Sequence, residues 1–379
     1  MPIYLDGLST TPLASEAREA MLDAWSRPGN PGSAHAAGER AALIVEEGRA
    51  RVAELIGASP AEVFLTSGAT EADNLAITGV ALAALAGASM RRRVIVSAVE
   101  HKAVFAPAVR LRDLGFVVDV APVDANGIVD LDALRALIGD DTLLVSVMAA
   151  NNETGVLQPV AAVAALAHER GALFHCDAAQ AVGKVQFDVF DLDVDYLSAS
   201  SHKMYGPGGI GALYVSATAP RPAPLVLGGG QERGLRAGTE PTALVAGFGA
   251  AAVVAGTRLD SDGKHADRLL EMFLLELSRR DVQLLVNGDG VKRLPGAASL
   301  TISGSDAQTI TQALSAQVML STGSACMSGQ IVTSHVLAAM GLDAEQRRST
   351  LRVHFNRYST EAEAVDGARL LAERVELHT

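Results

Sequence analysis

The stretch that most constrains what this chain can fold into is "YLSASSHKMYGPGGIGALYV", residues 196–215. "DVDYLSAS" at its start and "IGALYV" at its end are short apolar runs bounded by turn residues, the pattern of buried strands. Between them stand Ser200, His202 and Lys203, then Gly206, Gly208, Gly209 and Gly211. A lysine so placed is either a solvated loop charge, as most lysines are, or an amine set in an enclosed site.

A second string decides between these readings. "HCDAAQ", residues 175–180, closes the apolar run "ALFHC" and presents Asp177 and Gln180 at its carboxyl end. A lysine amine condenses with the aldehyde of pyridoxal 5'-phosphate, and an acidic partner keeps the pyridine nitrogen protonated so that the ring draws in electrons. Lys203 and Asp177 are candidates for those two groups. Together the two strings resemble the fold-type I pyridoxal phosphate enzymes of the class V aminotransferase family, and within it the cysteine desulfurases. The resemblance implies that Gln180 hydrogen-bonds the ring hydroxyl and that Ser200 and His202 bind the phosphate.

The rest of the chain is consistent with that class. Its 379 residues exceed one ordinary core and predict two domains. A formal net charge of -12 argues against a partner with a phosphate backbone, so no nucleic acid is expected. The basic cluster Arg91 to Arg93 reads as a solvated start of a strand. "MPIYLDGLSTTPLASEA" has no basic stretch followed by an apolar run, so no signal peptide is expected. "ALVAGFGAAAVVAG" reads as a packed helix too short and glycine-broken to span a bilayer, so no membrane is expected. Two cysteines are not a disulfide framework and fit a reducing cytoplasm.

Taken in order, "SEAREAMLDAW" has helical spacing with Ser15 as its cap, and a glycine and proline loop with Asn30, Pro31, Ser33 and His35 precedes the amphipathic helix "AALIVEEGRARVAELIG". "EVFLTSGATEADNLAI" predicts a strand, a turn at Ser67 and Gly68, and a helix from Ala69. Small residues there let backbone amides approach an anion, although the string equally describes an ordinary cap. His101 in "VEHKAVF" heads another helix, and "VMAANNETG" ends a buried strand at Asn151, Asn152 and Glu153. Strands alternating with helices predict a mostly parallel sheet covered on both faces, with ligands at the strands' carboxyl ends. The expected fold is α/β: a large mostly parallel mixed-sheet domain at 13–257, and a smaller α+β domain made of 1–12 and 258–379.

The resemblance covers nearly the whole chain and implies further roles. Ala69 and Thr70 match phosphate-cup positions, His101 the histidine over the cofactor ring, and Asn152 the asparagine that contacts the ring and substrate. "GGGQERGLRAGT" matches a loop that reaches across a two-fold axis, so a homodimer is implied, with Thr239 touching the neighbouring subunit's phosphate. "STGSACMS" matches the family's catalytic cysteine loop at Cys326, with Thr322 and Met327 as departures. Flanking serine and glycine mark that cysteine as lying in a loop. Cys176, in an apolar run, reads as core packing. Arg352 matches the arginine for the substrate's α-carboxylate, where a planar guanidinium gives a two-pronged grip. "GLS" at Gly7 to Ser9 departs from the family's "NNA" or "YSA", which bears on substrate access.

The implied activity converts L-cysteine to L-alanine and leaves the sulfur as a persulfide on Cys326, for an acceptor protein such as an iron-sulfur scaffold. A selenocysteine lyase or other cysteine-sulfur lyase on the same fold, and a non-enzymatic sulfur carrier or scaffold subunit with a decayed site, are the rival readings. The intact set of Lys203, Asp177 and Cys326 argues against decay. No metal site is expected.

Overall fold

The computed structural model describes residues 2–322 and 334–376. Thirteen strands lie among the described residues: β1 (Ile3–Tyr4), β2 (Val63–Thr66), β3 (Arg93–Ser97), β4 (Val117–Ala121), β5 (Thr142–Ser146), β6 (Leu173–Asp177), β7 (Tyr196–Ser200), β8 (Gly211–Val215), β9 (Leu284–Val286), β10 (Ala297–Ile302), β11 (Val318–Met319), β12 (Ser321–Thr322) and β13 (Thr350–His354). Seven of them form one sheet in the order β2-β8-β7-β6-β5-β3-β4. Only β8 runs against the others, because its pairings with β7 and β2 are antiparallel while the rest are parallel. The carboxyl ends of β2, β3, β5, β6 and β7 therefore open on one edge of the sheet. Helices cover both faces, and β5, β6 and β7 are buried almost throughout, as a sheet covered on two sides requires.

A second, antiparallel sheet has the order β12-β13-β10-β9, and β1 pairs with β11 beside it. Its core gathers Leu300, Leu351 and Val353 with Ile3 and Leu5 from the amino terminus and Phe273 from the long helix Thr242–Arg279. β13 lies inside this sheet, with Arg352 opposite Ser299 on one side and Ser321 on the other. An arginine there is not guarding an edge.

Several sequence expectations change. The helix containing "ALVAGFGAAAVVAG" is not broken by its glycines: it runs 38 residues, Thr242–Arg279, and by length and composition is long and apolar enough to cross a membrane. Half of its apolar window is buried inside the protein, against the helices Ser15–Trp25 and Ala36–Leu55. Its glycines serve close crossing, since a Cβ on Gly249 would lie 2.8 Å from Gly48 Cα. Position 257 falls within this helix. Ser15 is the first helical residue and not the cap; Ala14 holds that place without a side-chain bond. The helix expected from residue 41 starts at Ala36, because His35 caps it by accepting from the Gly38 amide.

Arg91 to Arg93 are half-exposed, as a solvated start of a strand would be, but each is also engaged. Arg91 donates to the Thr142 and Arg170 carbonyls, Arg92 lies over the Phe116 ring at 5.5 Å, and Arg93 pairs with Asp119 and Asp141. They join neighbouring strands at the amino-terminal edge of the sheet.

The loop after β8 is tied to the opposite edge by a buried ion pair. Arg49 Nη1 and Nη2 meet Glu232 Oε2 and Oε1 at 2.6 and 2.9 Å, and Glu232 Oε2 also accepts from the Leu65 amide at 2.8 Å. Glu232 holds φ of 48°, a left-handed conformation kept by these contacts. Removing one partner leaves an uncompensated buried charge. Glu232→Ala is therefore expected to lower unfolding free energy by about 3–5 kcal/mol, measured by chemical denaturation.

Candidate active site

A cavity of about 1230 Å³ opens at the carboxyl ends of the strands. Lys203, Asp177, Gln180, Ser200, His202, Ala69, Thr70, His101, Asn152 and Arg352 all line it. Ten candidates drawn from distant parts of the chain thus meet in one place. Thr239 does not line it and is exposed. Cys326 lies outside the described residues.

Lys203 ends the short turn Ser201–Lys203 that follows β7. Its Nζ donates to the Leu8 and Ser9 carbonyls at 2.6 and 2.7 Å. Burial pushes the amine down to about 8, helped by the Arg352 charge and opposed by Asp177 and Asp6. A lowered amine is the state a nucleophilic lysine needs. Asp177 closes β6, is buried, and accepts from the Ala179 amide at 2.9 Å. Burial raises its carboxyl, while that hydrogen bond and the charges of His101 and Lys203 pull it back. A cation placed beside it in the cavity would hold it ionised.

His101 is the cap of the helix Lys102–Arg110, and its Nδ1 accepts from the Ala103 amide at 3.1 Å. The Nδ1 lone pair is occupied, so in the neutral ring the proton sits on Nε2. Burial and the charges of Lys203, His335 and Lys102 lower this histidine against the pull of Asp177. His101 therefore caps its helix and lines the cavity at once. Asn152 keeps a buried Oδ1 without a partner among the described residues, and its carbonyl accepts from Arg352 Nη1 at 2.8 Å. Gln180 Nε2 donates to the Leu8 carbonyl at 2.8 Å, and its Oε1 faces Lys184 Nζ at 3.4 Å. His202 Nδ1 lies 3.0 Å from Thr10 Oγ1, and burial beside Lys203 and Lys184 pushes its ring down to about 4. It meets a ligand as a neutral imidazole.

Several contacts of the site were not foreseen from the sequence. Asp6 and Ser9 both contact Arg352. The departure at Gly7 has a steric reason: a Cβ there would lie 2.2 Å from His354 Nδ1. Asp73 is fully buried and lines the cavity, where the Ser198 hydroxyl is the one hydrogen-bonding group that lowers its carboxyl. Its nearest cationic candidate is His175 at 3.6 Å, which burial holds neutral by pushing it down to about 3. Burial and Asp177 raise the Asp73 carboxyl well above the usual range. Glu100 lies under the same strand ends, accepting from Ser97 Oγ at 2.5 Å and the Met148 amide at 2.8 Å. No amphipathic pattern marks these acids, because each interrupts an otherwise apolar or loop segment.

The family model described as "Aminotransferase class-V" matches residues 3–366. The chain is similar to "Cysteine desulfurase IscS" of Rickettsia felis (strain ATCC VR-1525 / URRWXCal2), 41% identical over 379 residues, covering 99% of this chain and 92% of that one. A solved chain described as "NIFS-LIKE PROTEIN" superposes with a TM-score of 0.92 at 35% identity, covering 100% of both chains. Another, "SspA in complex with cysteine", has a TM-score of 0.81 at 34% identity, covering 94% of this chain and 99% of that one.

Two outcomes follow from the electrostatics. Amine labelling of ligand-free protein, read by mass spectrometry against pH, should reach half its maximum for Lys203 near pH 8 and for exposed lysines about two units higher. Burial pushes Glu100 up to about 8 from 4.5. Since the unfolded carboxyl ionises first, stability is lost as pH rises from 4.5 to about 8. Glu100→Gln should flatten that loss, worth about 2–5 kcal/mol, in denaturant melts at pH 5 and pH 9.

Proposed function

We propose, from the premise that this chain belongs to the class-V aminotransferase family, that it is a pyridoxal phosphate-dependent cysteine desulfurase acting through Lys203, Asp177, Arg352 and Cys326. The observation that carries this reading is the convergence of a depressed lysine amine, a buried carboxylate and a buried arginine on one cavity. The family's cysteine desulfurases use pyridoxal phosphate, and the donor set here fits it. An unpartnered Asn152 Oδ1, a buried Asp177 and a helix start at Ala69 and Thr70 beside Ser200 are the polar groups such a ring and phosphate require.

When bound, the group supplies an aldehyde for the lysine amine and a protonated ring that withdraws electrons from the substrate's α-carbon. Lys203, whose lowered amine exchanges its proton readily near pH 8, moves the α-proton as base and acid. Asp177 holds the proton on the pyridine nitrogen. His101 presents Nε2–H to the cavity as a proton donor, and Gln180 offers its remaining amide N–H to the ring hydroxyl. The amides of Ala69 and Thr70, with Ser200 and His202, hold the phosphate. Arg352 holds the α-carboxylate of L-cysteine. The Cys326 thiol takes the sulfur, so that L-cysteine and a thiol give L-alanine and a persulfide, with atoms balanced.

A homodimer belongs to this reading. Thr239 is exposed and away from this chain's own cavity, which supports its serving a second subunit's phosphate. Leu22, Trp25 and Leu43 also leave apolar surface on two neighbouring helices. Iron-sulfur assembly is the proposed destination of the sulfur, through an acceptor protein, and the cytoplasm the proposed compartment, where the buried thiol of Cys176 stays reduced.

The test is to mix holoenzyme with L-cysteine and a thiol reductant and measure alanine and sulfide. Equal amounts of both are expected. Lys203→Ala should abolish turnover, and Cys326→Ser should remove the persulfide detected by alkylation and mass spectrometry. Alanine and sulfide formed at the full rate by either variant would overturn the assignment.

A further inference from the structure

Arg352 already carries a carboxylate. Its Nη2 donates to Asp6 Oδ1 at 2.7 Å and to Ser9 Oγ at 2.5 Å, and its Nη1 donates to the Asn152 carbonyl at 2.8 Å. A guanidinium has five N–H groups in a planar fork. Its two faces that can grip a carboxylate with two prongs are Nη1 with Nη2 and Nε with Nη2. Each face uses one Nη2 proton, and both Nη2 protons are taken. A substrate carboxylate held on two prongs must therefore displace Asp6 or Ser9.

Electrostatics selects Asp6. Displacing Ser9 would set two carboxylates against one buried cation, whereas displacing Asp6 exchanges one anion for another. Mobility selects it too. The Arg352 side chain is 4% exposed and fixed in β13, while the Asp6 side chain is 21% exposed and has water to turn toward. The Asp6 backbone is held by its bridge to His354 and by the Tyr4 hydroxyl on its carbonyl, so only the carboxylate needs to move. Its other partner, Ser321 Oγ at 2.8 Å, is a neutral hydroxyl that water replaces.

We propose that Asp6 is an internal competitor for the substrate's α-carboxylate: it neutralises Arg352 in the empty site and gives way when an amino acid binds. The proposal rests on the reading of Arg352 as the carboxylate site. It makes Asp6 a specificity-determining residue, since an amine without a carboxylate cannot displace it. The exchange also spares the protein a bare buried guanidinium between turnovers, at the expense of substrate affinity.

Asp6→Asn keeps an Oδ1 to accept from Arg352 and Ser321 but removes the charge. The KM for L-cysteine and the inhibition constant of L-alanine should each fall about fivefold, the ratio between a charged and a neutral hydrogen-bond partner. The inhibition constant of cysteamine, which lacks the carboxylate, should not move. Asp6→Glu restores the charge, and its KM should return to or above the native value. A melting temperature for each variant separates misfolding from the effect on binding. A KM that is unchanged or raised in folded Asp6→Asn would overturn the proposal and make Asp6 a fixed support. Arg352→Lys, measured alongside, separates the two readings. If it raises KM strongly, the carboxylate role of Arg352 stands whatever Asp6 does; if KM is unmoved, that role falls and the proposal with it.

Discussion

The contact on which the site's architecture depends is the grip of the Lys203 ammonium on the carbonyls of Leu8 and Ser9. It is one of several bonds that lay residues 8–11 across the carboxyl ends of the large sheet. Gln180 Nε2 donates to the same Leu8 carbonyl, Thr11 bonds the His202 carbonyl through both its amide and its hydroxyl, and the Tyr205 amide returns a bond to Thr11 Oγ1. The amino-terminal segment thereby roofs the strand ends. Only two residues earlier, it becomes part of the smaller sheet's surroundings, where Ile3 and Leu5 pack. A binding partner that takes up the Lys203 amine must first release this grip, which leaves two carbonyls to be resatisfied by water or ligand.

Around that contact the protein gathers more acid than it pairs. Asp73, Glu100, Glu153 and Asp177 are all buried at or near the strand ends, and burial raises each carboxyl. Nearby cations oppose that rise at Asp177, from His101 and Lys203, and at Glu153, from His335, Arg352 and Lys102. The four carboxyls thus meet unlike surroundings, Asp73 and Glu100 having no cation to offset their burial. Such divergent environments for like groups are how one site keeps an anion and an acid at the same pH. The same burial lowers Lys203, His202 and Lys184, so the cavity favours neutral bases. Lys184 has a further structural effect: as a donor only, it turns the Gln180 amide so that its oxygen faces away from Leu8.

The smaller sheet contributes one side chain of consequence. Arg352 sits in the middle of β13 between Ser299 and Ser321, and its guanidinium reaches across to Asn152 at the end of the large sheet. It therefore joins the two sheets through the cavity itself. Ser334, the cap of the helix His335–Ala339, donates to Glu153 Oε2 at 2.5 Å. Both bonds end on the "NNE" turn after β5. That turn is consequently held by the smaller sheet and by this helix.

Much of this was legible in the sequence. Short apolar runs ending in Asp177 and Ser200 marked buried parallel strands, because a sheet covered on two faces demands continuous hydrophobicity and a polar stop, whereas the strand expected to end at Asn152 stops at Ser146 and continues as buried loop. The motif spacings carried the family and its chemistry, since lysine, acid, arginine and cysteine at those places have few other uses. What the sequence could not show was which groups touch. Asp6 and Ser9 are remote in the chain from Arg352, and nothing in "YLDGLS" announces an ion pair with residue 352; the two sheets must be assembled before it exists. The glycines of the long helix read as breaks but are crossing points, a distinction made only by the helix packed against them. Charge states belong to the same class. Local sequence assigns each side chain its ordinary titration range, and only the folded chain sets Asp177, which faces His101 and Lys203, apart from Asp73 and Glu100, because desolvation and neighbouring charge are properties of the surroundings and not of the residue.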